Sequence, residues 1–136
     1  MSLRSGNAID CGKEEVEFDP KLDKPSNDYL ESNYDGICFL DAESWKYYLP
    51  ILIEFTIKNY TFSNSMVIDS FISSLRPPDR EPPRFGALTE KQEKIIIELL
   101  DRLAFDEQSN WKAEAILALE EYWAPGALYR KSSKHQ

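Results

Sequence analysis

Histidine is nearly missing from this chain of 136 residues: His135, second from the C-terminus, is the only one. That scarcity removes Ser-His-Asp and Cys-His catalysis, and any histidine-bearing metal site, together. Cysteine is scarce as well. Cys11 and Cys38 form no CxxC and have no second pair, so a four-ligand zinc site is excluded and two free thiols in a reducing cytoplasm are expected. Five glycines leave no GxxxxGK[ST] and no GxGxxG, hence no recognisable nucleotide cradle. Positive charge is in the minority. Sixteen Lys+Arg face 24 Asp+Glu, and a net charge of −8 is the wrong sign for holding nucleic acid through its phosphates. The longest apolar run, Tyr47 to Ile57 interrupted by Glu54, falls far short of the ~20 residues that cross a bilayer. The first dozen residues contain no apolar stretch of the kind a secretory signal needs. The chain is therefore read as cytoplasmic, without cofactor or metal, and with neither nucleic acid nor membrane as partner.

What is present is an ordinary globular composition, 42% hydrophobic and 29% charged, of a length that makes one domain. Strand signals are scarce, and apolar residues recur at helical spacing. The expected fold is all-α: a compact bundle of four to five helices with a central Pro-kinked hydrophobic helix, a Pro/Arg-rich loop and a flexible acidic N-terminal tail. Residues 1–26 are that tail, 27–127 the single helical domain, and 128–136 a frayed basic tail carrying Arg130, Lys131 and Lys134. The N-terminal stretch is acidic and poor in large apolar groups, so burial offsets little of its ordering entropy. Val16 and Phe18 alternate with acids and suggest at most one short edge strand.

The helices follow from their caps and stripes. Asp28 with Glu31 opens a short helix that Gly36 stops in a left-handed turn. Asp41 caps the central helix, whose buried face is Trp45, Tyr48, Leu49, Leu52 and Phe55. Pro50 either bends it or divides it into two abutting helices. From Leu49 to Ile57 it is apolar nearly all round, the mark of the most buried element. Asn64-Ser65 starts a helix that ends against Pro77-Pro78. Thr89 with Gln92 forms the clearest capping box, ahead of the stripe Ile95, Ile96, Leu99, Leu100 and Leu103. Asn110 caps the last helix, which Pro125-Gly126 stops.

Few residues are left for chemistry. Carboxylates in pairs perform general acid–base work, so Asp41 and Glu43 beside Asp35, and Glu54 amid Ile53, Phe55 and Ile57, are the acids to inspect. Capping accounts for Asp41, and Lys58 lies four residues after Glu54 in pairing position, so no catalytic residue is assigned. Tyr47 falls off the buried face and is the surface aromatic. Arg76, Arg80 and Arg84 are spaced by four in a loop holding four of the eight prolines, with Asp79 and Glu81 interleaved to neutralise them. Tyr47 and these three arginines are the candidate partner contacts. The proline spacing contains no PxxP ligand.

Phe39-Leu40, then Trp45-Lys46-Tyr47-Tyr48-Leu49-Pro50, resembles the FLxxxxxRYYLP signature of a family of small uncharacterised bacterial proteins, a domain of unknown function. Arg84-Phe85 with Leu88-Thr89 and Gln92 is similar to the family's RF..LT..Q segment, and Ala118-Leu119-Glu120-Glu121-Tyr122-Trp123 to its ALxxYW-like close. The resemblance spans about residues 28–123. Lys46 replaces a common arginine, and an upstream tryptophan-bearing segment is absent. The resemblance implies bacterial origin and a shared fold, with no site residue to carry over. The functional expectation is a non-catalytic protein-interaction module, immunity- or antitoxin-like, whose acidic surface pairs with a basic partner. The alternatives are a small carboxylate-dependent enzyme acting on a sugar or nucleotide, and a homodimeric scaffold or regulatory domain using Tyr47 or Trp111 at its contact.

Overall fold

In the computed structural model, which describes residues 1–130, six α-helices carry the chain and no strand occurs among the described residues. The all-α expectation holds, with one helix more than the sequence reading allowed.

The additional helix is α1, Leu3–Asp10, inside the stretch expected to be a loose tail. Ser2 caps it, its hydroxyl accepting from the Ser5 amide at 3.0 Å. Leu3 is completely buried. The closest packing is between backbones. A Cβ added to Gly36 would lie 2.3 Å from the Leu3 carbonyl oxygen and 2.6 Å from the Asn7 nitrogen, and one on Gly6 would lie 2.5 Å from the Gly36 oxygen. Two glycines therefore let α1 lie directly on the 3₁₀ turn Tyr34–Phe39. Gly36 serves this contact and does not enter the left-handed region; among the described residues only Gly12 and Gly126 do. Composition misjudged the segment because it weighs large side chains, and this docking uses almost none. Residues 11–22 are largely exposed, with no strand at Val16 or Phe18. They are tied down at both ends: Val16 N–H donates to Ser5 Oγ at 3.0 Å, and buried Asp23 receives the Arg4 guanidinium at 3.1 Å.

Helix α2, Asn27–Asn33, is capped by Ser26 and not by Asp28, which sits in its first turn. Glu31 turns away and accepts from Ser65 Oγ at 3.0 Å. Helix α3, Ala42–Asn59, starts at Asp41, whose carboxylate accepts from the Ser44 amide at 2.8 Å. It passes through Pro50 without a break, so two abutting helices do not form. It is also less buried than its composition suggested, because Tyr47, Pro50, Glu54 and Ile57 remain exposed. Helix α4, Met66–Ser74, is capped by Ser65 and packs on the 3₁₀ turn, α3 and α6. Helix α5, Glu90–Phe105, has both halves of the Thr89/Gln92 capping box, at 3.1 and 2.9 Å.

Helix α6, Lys112–Ala118, continues into a π turn, Leu119–Trp123. Asn110 does not cap it. Its amide instead donates to the Tyr60 carbonyl at 3.2 Å, while Ser109 Oγ accepts from Trp111 N–H. Gly126, at φ +76°, ends this last element as expected. Arg130 is not frayed either: it pairs with Glu93 and lies 4.6 Å from the Tyr122 ring centroid. Lys131, Lys134 and His135 lie outside the described residues.

Trp45 of α3 and Trp123 of the π turn meet through Phe85, with centroid separations of 5.8 and 5.0 Å. Both indoles are satisfied, Trp45 by Ser74 Oγ at 3.1 Å and Trp123 by the Leu75 carbonyl at 2.7 Å, which is how tryptophan is buried without an orphan donor. This aromatic cluster fastens the proline-rich loop to the bundle. No helix among the described residues is long and apolar enough to cross a membrane.

Candidate functional site

The proline-rich loop, the start of α5 and residues 121–130 border a cleft of about 890 Å³. Pro77, Pro78, Pro83, Phe85, Leu88, Tyr122 and Tyr129 supply its apolar and aromatic lining. Asp79, Glu81, Glu90, Glu93 and Glu121 stand around it. The loop holds this shape because Asp79 gathers its own backbone. One carboxylate oxygen accepts from the Arg80 and Arg84 amides at 2.9 and 2.8 Å, and the other accepts from Phe85 N–H at 2.9 Å. Asp79 thus acts as a turn former and forms no ion pair with the loop arginines, contrary to the expected self-neutralisation.

The loop arginines are engaged by the chain itself: Arg80 and Arg84 reach the adjacent carbonyls of Cys38 and Ile37, and Arg76 binds Glu121. Arg76 grips Glu121 with two parallel bonds of 2.7 and 2.8 Å, the strong fork geometry of a guanidinium on a carboxylate. This hydrogen bonding holds Glu121 below its ordinary carboxylate range. Arg80 donates to the Cys38 carbonyl at 3.1 Å. Arg84 is buried, 5.4 Å from the Trp45 ring centroid, with Nη1 on the Ile37 carbonyl at 3.4 Å and Nε without a partner. Burial lowers its pKa. Arg84 is thus a core residue and is withdrawn as a partner contact, while Arg76 is engaged by Glu121.

The remaining candidates fall elsewhere. Tyr47 is exposed, as expected, edge-to-face with Tyr48 at 5.1 Å, and outside the cleft. Trp111 is buried and is unavailable as a dimer contact. Asp41 is a cap, held as an anion chiefly by its hydrogen bond from Ser44, and Glu43 is exposed beside it. Glu54 is not buried. It is exposed, 3.5 Å from Lys58, and among the described residues it is the only acid that lines an apolar groove of about 540 Å³ between α3 and α5. Asp41, Glu43 and Glu54 do not share a pocket.

Carboxylates whose proton affinity is displaced, Asp23, Asp41, Asp106 and Glu121, all move downward. At Asp23 burial pushes upward, but hydrogen bonds from Arg4, the Asp19 amide and the Tyr29 hydroxyl outweigh it and bring the group to about 2. Such acids are fixed anions, suited to structure or charge recognition more than to proton donation.

Sequence reasoning did not single out Phe85, Glu90, Glu93, Tyr122 and Tyr129 as neighbours of one cleft. The available signal was weak: an aromatic and an arginine, Tyr129-Arg130, just beyond the Pro125-Gly126 stop. Arg130 is the informative member. Its guanidinium lies between the Glu93 carboxylate and the Tyr122 ring, so one cation is already seated in the cleft.

No curated protein and no solved structure matches this chain. A family does match, over residues 1–127, and so takes in the α1 segment that the YYLP resemblance had left out. The chain belongs to that family, a family of unknown function, DUF6714.

Proposed function

We propose that this protein is a non-catalytic protein-interaction module of the cytoplasm whose cleft, under the proline-rich loop, receives a cationic segment of a partner protein. The observation that carries this reading is Arg130, held by a carboxylate on one side and an aromatic face on the other. That arrangement is a working example of the chemistry the cleft accepts. Room remains for more positive charge, because Glu81 and Glu90 have no ion-pair partner among the described residues. The apolar and aromatic lining lowers the local dielectric and strengthens each such contact relative to open water. The net charge of −8 adds long-range attraction for a basic partner, as an immunity- or antitoxin-like protein needs for fast capture.

An arginine-rich peptide, titrated calorimetrically at low and physiological salt, tests this. Binding is expected, weaker at higher salt, and reduced about tenfold by Glu81→Gln with Glu90→Gln, since each rim charge contributes at most ~1 kcal/mol. The same neutralisation at Glu14 and Glu15, exposed and outside the cleft, is expected to change little. Equal losses from both pairs would reduce the effect to net charge and end the cleft assignment.

A further inference from the structure

We infer that two copies of this chain associate through α3, packed antiparallel about a two-fold axis at Pro50. This contact lies apart from the cleft, on the exposed seam of α3. Glu43, Tyr47, Pro50, Glu54 and Ile57 are all exposed. Their spacings of four and three residues place them in one stripe along the helix. Tyr47 is 63% and Ile57 45% exposed, and beside them runs the apolar groove floored by Leu49, Ile53 and, from α5, Ile95. A helix that is apolar nearly all round yet half uncovered has a face in want of a cover.

Charge order selects the cover. Along α3 the charges flanking this face run Glu43, Lys46, Glu54, Lys58, alternating minus and plus. Read backwards, the order is plus, minus, plus, minus. An antiparallel copy centred on Pro50 therefore sets Lys46 across from Glu54 of the partner subunit and Glu43 near Lys58 of the partner subunit, each contact occurring twice. Tyr47 then lies over Ile53 of the partner subunit, and the two proline rings meet at the crossing. A parallel copy in register would oppose like charges and is disfavoured. The face is thus complementary to itself, the property a two-fold contact requires.

Sedimentation equilibrium of the full chain, with two charge reversals, decides the matter. The unaltered chain is expected to dimerise over the micromolar range. Lys46→Glu alone and Glu54→Lys alone each oppose like charges twice and are expected to weaken the dimer at least tenfold. Mixing the two single variants restores opposite charges at both contacts, so a heterodimer as tight as the original dimer is expected. Both positions are on the surface, and unchanged helical circular dichroism would show that the fold survives. A chain monomeric at every concentration, with the groove left to some other protein, overturns the inference. So does a dimer indifferent to either reversal, or single variants that fail to recover on mixing.

Discussion

Replacing Gly36 with alanine adds one methyl group where backbone already lies. Inside a helix this change ordinarily stabilises by roughly 0.5–1 kcal/mol, because glycine has more freedom to lose on folding. Here the new carbon would meet the Leu3 oxygen at 2.3 Å and the Asn7 nitrogen at 2.6 Å. Neither atom can swing aside as a side-chain end can. Relief requires α1 to retreat by about 1 Å, and overpacking of this kind costs about 1–3 kcal/mol. The upper bound is complete release of α1, which gives up the burial of Leu3, worth ~1.5–3 kcal/mol, and the Arg4–Asp23 contact. The expected outcome of Gly36→Ala is a loss of about 2 kcal/mol, read as a urea midpoint lower by about 1 M. Hydrogen exchange locates the damage: the Leu3 and Arg4 amides, which donate to the Tyr48 and Tyr29 hydroxyls, should lose protection before those of α5. Gly86→Ala is the control, since its nearest neighbour would be Pro83 Cβ at an ordinary 3.9 Å. An unchanged or higher midpoint for Gly36→Ala would refute the docking of α1 on the 3₁₀ turn.

Two further outcomes are expected from the same structure. Asp23 stands at about 2 in the folded chain against an ordinary 3.8, so its ionised form contributes about 2 kcal/mol that is fully present above about pH 4 and lost as pH falls towards 2. Asp23→Asn should remove that part of the acid dependence, as urea midpoints taken across this range would show; an identical pH profile would contradict it. Asp79→Ala strands three backbone amides, at Arg80, Arg84 and Phe85, and should destabilise by about 2 kcal/mol, while Asp79→Asn, which keeps one acceptor oxygen, should lose less. Thermal unfolding checks the order, and arginine-peptide affinity should fall with it because the cleft wall is the same loop.

Legibility followed the range of the forces involved. The Thr89/Gln92 box, the Asp41 cap and the buried stripe of α3 depend on residues within one or two turns, and each stands where spacing placed it. One failure is local: Ser26, two residues before Asp28, is the cap of α2. The others involve distant partners, as where Asn110 is drawn to the Tyr60 and Ser63 carbonyls. Arg84 reads as a solvated loop charge until Trp45, 39 positions earlier in the chain, is found beneath it. The cleft was illegible for the same reason, because its lining joins Phe85, Tyr122 and Tyr129 from separate segments.

Sequence alone determined the helical class, the caps that rest on local hydrogen bonds, and the lack of motifs for histidine, paired-cysteine or glycine-rich chemistry. Periodicity and composition are properties of neighbours along the chain, so they survive without knowledge of the fold. Only the tertiary structure decided that residues 3–10 dock, that Arg84 is buried, and that Arg130 closes on Glu93 and Tyr122. Each of these turns on atoms far apart in sequence and a few ångströms apart in space, where steric fit and low dielectric act and spacing carries no information.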